Sequence, residues 1–155
     1  MILPAAVQFY DVVVFFHIAA VVLAFGPTFA YPVFFSVAAR TNPAALATVG
    51  RGVLTWDRTA GTLGMLLILV TGLYLTSDRW DFGDFFVSWG FAAIILLFGV
   101  VHGFFIPNTR RYVQAVEAGR EDEAQAVAGR LNVMGPIAGL AVILTIYVMT
   151  AKPFL

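Results

Sequence analysis

Residues 12–35 read VVVFFHIAAVVLAFGPTFAYPVFF and contain no aspartate, glutamate, lysine or arginine. A helix needs about 20 consecutive apolar residues to cross the hydrocarbon core of a bilayer, so this run is long enough. Three more runs without such charges follow, at residues 59–76, 85–106 and 133–150. The first run lacks the basic start and the cleavage site of a signal peptide, so we interpret it as a helix of the mature protein. The pattern predicts four membrane spans.

The composition agrees with an integral membrane protein. Of the 155 residues, 61% are hydrophobic and 12% are charged, and that charged fraction is about half of what a soluble domain carries. The length suits a single integral membrane domain over residues 1–155. We predict an all-α fold, a polytopic four-helix bundle with a cytoplasmic helical extension between spans three and four. This extension, residues 108–132, is polar and rich in helix formers, with a break near Gly119 and Arg120.

The absence of cysteine excludes several kinds of site, whereas the net charge excludes none. The chain has no cysteine, which rules out disulfides, thiolate metal sites, iron–sulfur clusters and covalently attached haem. The formal net charge is zero. We expect the lipid bilayer as the surroundings of this protein and no nucleic acid as a partner.

The basic residues are distributed unevenly between the two faces of the predicted bundle. The loops after spans one and three hold seven arginines, whereas the opposite face holds only Arg79 and Lys152. The seven are Arg40, Arg51, Arg58, Arg110, Arg111, Arg120 and Arg130. The positive-inside rule then places these two loops in the cytoplasm and both termini outside. We expect a multi-pass protein of the bacterial inner membrane.

Two histidines lie inside the apolar runs and are the main indication of chemistry. His17 is surrounded by VVVFF and IAAVV, and His102 follows IILLFGVV. Imidazole is costly in hydrocarbon, so a histidine there usually has a ligand, a proton path or a buried partner. Neutral imidazole is the common axial ligand of b-type haem, and helix bundles build such sites from inward-facing side chains. We predict haem b as cofactor, with His17 as the first axial ligand and His102 as the second.

The residues around the histidines suit a flat ring. Ala20 and Ala24 share a helix face with His17, and Gly99 precedes His102 by one turn. Haem propionates need cations near the membrane surface, and Arg58 is the candidate that we favour for this role. Arg110 at the same face and Arg79 at the opposite face are alternatives.

The depth of the two histidines leaves several arrangements open. A helix rises about 1.5 Å per residue, which puts His17 and His102 at different levels of the membrane. Each histidine could instead pair with a methionine, namely Met149 for His17 and Met65 or Met134 for His102. A histidine could also meet its symmetry mate across a homodimer. A role without a cofactor is the other alternative, in which a neighbouring tyrosine satisfies the His17 imidazole. The tyrosines in question are Tyr10, Tyr74 and Tyr147.

Three short motifs resemble a group of small bacterial membrane proteins. The segment FHIAAVVLAFGPTFAYPVFF resembles their first helix, where a histidine is followed about nine residues later by glycine and proline, here His17, Gly26 and Pro27. LVTGLYLTS and VVHGFFIPNTRRY are similar to two later motifs of the group. The group comprises the HemJ-type protoporphyrinogen oxidases, the CopD-like proteins and the four-span family DUF2269, which is nearest in length. The resemblance spans about the first 112 residues.

The resemblance implies a four-helix bundle with b-type haem and the helix-one histidine as its axial ligand. The HemJ-type enzymes carry a lysine early in helix three, but the matching segment VSWGFAAII has none, which argues against protoporphyrinogen oxidation. The absence of a methionine or histidine cluster argues against copper import. Our leading hypothesis is a haem b protein with a redox or electron-transfer role and an unspecified electron partner. The alternative is a non-enzymatic scaffold or permease-like subunit without cofactor, and an enzyme of the protoporphyrinogen oxidase type ranks third.

Overall fold

The computed structural model describes residues 7–153, and this part of the chain is almost entirely helical, with no β-strand. Seven α-helices follow one another along it. They are α1 (Phe9–Phe25), α2 (Tyr31–Thr41), α3 (Leu46–Trp56), α4 (Thr62–Arg79), α5 (Phe85–Val100), α6 (Ile106–Glu117) and α7 (Glu121–Ala151). The chain termini themselves lie outside the described residues.

The seven helices join into long rods. Within residues 7–153, four helical segments are long and apolar enough to cross a membrane: Phe9–Thr41, Pro43–Arg79, Phe85–Glu117 and Glu121–Ala151. Each has 31 to 37 residues, which corresponds to about 45–55 Å against a hydrocarbon core of about 30 Å. The predicted all-α four-helix membrane bundle is confirmed.

The excess length of all four rods lies at one end of the bundle. We call residues 36–58 and 107–132 the arginine-rich end, because they contain the seven arginines of the two basic loops. The helical extension after span three is confirmed there, with its break at Gly119, whose φ of 66° is the left-handed conformation that glycine adopts readily. Helices α2 and α3 also belong to this end, so it is larger than the sequence suggested.

The arginine-rich end has a hydrophobic core of its own, separate from the core of the membrane part. It brings side chains of α3, α6 and the start of α7 into contact, and Phe35 of α2 packs against them. Its buried members are Ala47, Tyr112, Val113, Ala115, Ala124 and Val127. The rods therefore continue past the membrane as a packed helical layer and not as loose connectors.

The α-helix of the first rod is interrupted at Gly26 and Pro27. Helix α1 ends at Phe25, and a 3₁₀ segment, Gly26–Phe29, separates it from α2. Pro27 lies in the first turn of that segment. Proline removes a backbone donor and crowds the preceding turn, so the α-helical ladder is interrupted at this point.

Two π-helical turns interrupt the second and third rods. Asp57–Gly61 separates α3 from α4, and Val101–Phe105 separates α5 from α6. In the latter the Ile106 amide donates to the Val101 carbonyl, five residues back. This wider turn relieves the crowding that Pro107 causes, so the helix continues through the proline at which the third span was predicted to end.

The membrane part of the bundle is built around a close contact between α1 and α4. Ala20, Ala24 and Met65 are among its most buried side chains. A Cβ atom placed on Gly64 would lie 3.0 Å from the Cβ and the backbone nitrogen of Ala24, and 3.1 Å from the Ala20 carbonyl oxygen. The two helices therefore meet almost backbone to backbone, as small residues allow in membrane proteins.

Candidate functional site

His17 lies on α1 at the interface with α4 and is half-buried. Its Nδ1 atom lies 2.8 Å from the hydroxyl oxygen of Thr71. Gly72 is adjacent, and a Cβ atom there would be 3.5 Å from the imidazole Cε1. The neighbour that satisfies His17 is thus a threonine of span two and none of the three tyrosines considered above.

The hydrogen bonds of Thr71 determine which nitrogen of His17 carries the proton. The Thr71 hydroxyl donates to the Leu67 carbonyl one turn earlier in α4. A hydroxyl has a single proton, so its oxygen accepts from His17 and the Nδ1 atom is the donor. The lone pair of the neutral imidazole is then on Nε2, and the Ile68 carbonyl is a second acceptor beside the ring. Thr71 thereby holds the ring in the tautomer and orientation that a histidine ligand needs.

His102 lies in the π-helical turn between α5 and α6, and both of its ring nitrogens have partners. Nδ1 lies 3.0 Å from the Phe98 carbonyl oxygen, and Nε2 lies 3.1 Å from the Thr62 hydroxyl. The ring also stacks on Phe98, with centroids 4.0 Å apart. This environment suits a structural histidine better than a metal ligand, because neither ring nitrogen is free to bind a metal.

The two histidines are not brought together within one chain. Their partners Thr62 and Thr71 are nine positions apart in α4, which is about 14 Å along the helix axis. The two imidazoles therefore do not lie on opposite faces of a single porphyrin within this chain.

The methionines considered as axial partners have other contacts. Met65 is buried in the hydrophobic core of the membrane part of the bundle. The side chain of Met149 fills the space above Gly90, where a Cβ atom would come within 1.8 Å of its methyl carbon. Met149 was the candidate partner of His17 and Met65 a candidate partner of His102, and both side chains take part in these packing contacts.

A buried polar cluster lies beside the π-helical turn at Asp57. The side chain of Asp57 is only 8% exposed, and the Tyr31 hydroxyl donates to its Oδ1 atom over 3.0 Å. The Thr62 hydroxyl, which also contacts His102, lies 2.7 Å from the Asp57 carbonyl oxygen. The cluster ties the first, second and third rods together where the apolar part of the bundle ends. Sequence reasoning did not identify Tyr31, Asp57 or Thr62, and the only local signal was a carboxylate next to an apolar run.

Arg58 and His102, two of the three predicted site residues, line the same cleft at the arginine-rich end. His17 lies apart from them. Arg58 precedes Thr71 by 13 positions, or about 20 Å of helix. Arg79 follows Thr71 by eight positions, or about 12 Å, and its guanidinium lies over the Tyr10 ring. Arg79 is therefore the cation nearer to the level of His17.

Residues 7–153 contain no group of three or more His, Cys, Asp or Glu side chains that could hold a metal ion. A metal bound at His17 would thus be one held within a larger cofactor or shared with a second chain.

The fold and these sites define a polytopic all-α membrane protein of four spans with a polar helical layer at one end. The chain belongs to the family described as "Predicted integral membrane protein (DUF2269)", which matches residues 11–153. The resemblance to this family is thereby confirmed, and the match extends beyond the first 112 residues. No curated protein and no solved structure matches the chain.

Proposed function

We propose that this protein binds b-type haem in the membrane through His17 and has a redox or electron-transfer role. The observation that carries the proposal is the hydrogen bond from His17 Nδ1 to Thr71, which leaves the Nε2 lone pair uncommitted. Histidines that ligate metals nearly always donate their other ring N–H to a carboxylate, a backbone carbonyl or water, and the Thr71 hydroxyl takes that place here. Bound haem supplies one-electron chemistry at its iron.

Several residues of the chain would act on the cofactor. Thr71 fixes the orientation of the imidazole. Ala20 and Ala24, which the sequence suggested as space for a flat ring, are instead buried against Gly64 of α4, so the cofactor would have to approach His17 from another side. Arg79 is the propionate partner that we now favour, because Arg58 lies at the level of His102. The exposed apolar side chains of Phe16 and Ile18 flank His17, so the ring is within reach of a cofactor or of a second copy of the chain.

Absorption spectroscopy of the detergent-purified protein tests the proposal. After expression with ample haem, the wild type is expected to show a Soret band that His17→Ala removes and that His102→Ala, the matched control, retains. Thr71→Val is expected to weaken haem binding by about tenfold, because loss of a residue that orients a metal ligand typically costs this much. A ratio of one haem to two chains would support the homodimer with paired His17 residues, and one haem per chain would contradict it.

A colourless wild type, or a Soret band unchanged in His17→Ala, would contradict haem binding. The second candidate function, a cofactor-free scaffold or permease-like subunit, would then be favoured. The observation that favours this second candidate is that both ring nitrogens of His102 have hydrogen-bond partners within the protein.

We also propose that the arginine-rich end faces the cytoplasm of a bacterium. The seven arginines support this orientation through the positive-inside rule, and the native chain has no cysteine that would interfere with labelling. Ser77→Cys and Ala118→Cys introduce thiols at exposed positions of opposite ends. A membrane-impermeant maleimide is expected to label Ser77→Cys in intact cells and Ala118→Cys only after the inner membrane is permeabilised. The reverse pattern would invert the topology.

A further inference from the structure

The arginine-rich end contains an open cleft of about 460 Å³ between the second, third and fourth rods. Arg58 enters it from the π-helical turn before α4, Arg110 and Arg111 from α6, and Arg120 from the start of α7. Glu123 is the acidic side chain that lines it. Counting its arginine and glutamate side chains, the lining carries three more positive than negative charges.

The four arginines are not equivalent. Glu123 accepts a hydrogen bond from the Nε of Arg111 over 2.6 Å and forms an ion pair with the Nε of Arg120 at 2.9 Å. Arg58 and Arg110 have no ion pair within residues 7–153, although both face the same cleft. Asp57 forms no ion pair with Arg58 in the described part of the chain, and its carboxyl group accepts from the Tyr31 hydroxyl instead. Two guanidinium groups are therefore uncompensated, and two share one carboxylate.

We propose that this cleft binds a phosphate group. Guanidinium groups form paired hydrogen bonds with phosphate oxygens, and several arginines converging on one concave site are typical of phosphate recognition. The bound anion would contact Arg58 and Arg110 directly and compete with Glu123 for Arg111 and Arg120. This inference is independent of haem binding, because the cleft lies far from His17.

The position of the cleft indicates two sources for such a phosphate. Its apolar lining residues, Ile106 and Pro107, lie where the third apolar run ends, which is the level expected for the membrane surface. Basic pockets between membrane helices at this level bind anionic lipid headgroups. The cleft is also open to water, so a soluble phosphate compound could reach the same arginines.

Thermal unfolding of the purified protein in nonionic detergent tests the proposal. The probes are short-chain phosphatidylglycerol, phosphatidylcholine of the same chain length, and inorganic pyrophosphate. Ligands that bind only the folded state raise the melting temperature. Phosphatidylglycerol or pyrophosphate is expected to stabilise the wild type more than phosphatidylcholine does, and added salt is expected to weaken this effect. Stabilisation by the lipid alone identifies a headgroup site, and stabilisation by pyrophosphate alone identifies a soluble ligand.

Two sets of variants separate a specific cleft from general attraction to a basic surface. Arg58→Gln with Arg110→Gln is expected to weaken binding about tenfold or more. The control pair, Arg40→Gln with Arg130→Gln, removes the same charge from exposed arginines of the same end that do not line the cleft. This control is expected to bind like the wild type.

The variant Glu123→Gln is the more discriminating test, because it is expected to bind more tightly. It releases Arg111 and Arg120 for the anion, and an increase in affinity of about threefold is expected. A merely structural role of the arginines would not produce a gain. The proposal is overturned if neither anionic probe stabilises more than phosphatidylcholine, if the control pair loses as much affinity as the cleft pair, or if Glu123→Gln binds no better than wild type.

Discussion

Gly64→Leu is expected to destabilise the membrane part of the bundle by about 3 kcal/mol, because overfilling a close-packed contact costs this much when the neighbours cannot move aside. The neighbours here are the backbone nitrogen of Ala24 and the carbonyl oxygen of Ala20, each about 3 Å from the position of a new Cβ. A backbone cannot rotate out of the way as a long side chain can. The leucine therefore separates α1 from α4 and removes the contacts that bury Ala20 and Met65.

Unfolding of the purified protein by denaturant in mixed micelles measures this effect. Gly99→Leu is the matched control, since it makes the same change in a membrane helix at an exposed position with no atom within 4 Å of the new Cβ. The control is expected to keep wild-type stability. If both variants unfold at the same denaturant concentration, the close α1–α4 contact is contradicted. Loss of the His17 to Thr71 hydrogen bond is a further consequence, because those residues belong to the same two helices.

The class of fold could be predicted from the sequence because each span is a local property. Four runs without charged residues, each near 20 residues, leave few alternatives to membrane helices. The interruption of the first rod at Pro27 and the break at Gly119 are local as well, since proline and glycine act on their own backbone. The resemblance to DUF2269 could be inferred from short motifs within these runs, and the family match over residues 11–153 confirms it.

The ends of the rods could not be predicted in the same way. Hydropathy marks where a helix leaves the membrane, but it does not show that the helix stops there. Helix α6 continues past Pro107 because a π-helical turn absorbs the proline, and no composition rule indicates such a turn. The packed layer of α2, α3, α6 and α7 depends on contacts between residues far apart in sequence, such as Phe35 and Tyr112.

The candidate sites were predictable only in part, for a related reason. The residue type and its apolar surroundings identified His17 and His102. Their hydrogen-bond partners depend on how α1, α4 and α5 are rotated against one another, which a single chain does not specify. His17 and Thr71 are 54 positions apart, and His102 and Thr62 are 40 apart. That rotation also brings Arg58 to His102 and not to His17.

Tyr31→Phe is the second substitution for which we expect a large loss of stability. It leaves the buried carboxyl group of Asp57 without its hydroxyl donor, and an unsatisfied buried acceptor of this kind costs about 2 kcal/mol. Tyr147→Phe is the matched control, because that tyrosine is 61% exposed. The control is expected to unfold like the wild type in the same denaturant titration.

A double-mutant cycle shows whether the cost arises from the Tyr31–Asp57 pair itself. Asp57→Leu replaces the acceptor by an apolar side chain of similar size. As a single substitution it leaves the Tyr31 hydroxyl without its acceptor. Combined with Tyr31→Phe it removes both partners, so the double variant is expected to lie within about 1 kcal/mol of the wild type. The two single costs are then strongly non-additive, as expected for residues in direct contact. Additive costs would mean that the two side chains stabilise the junction of the rods independently. The buried hydrogen bond between them would then contribute little to stability.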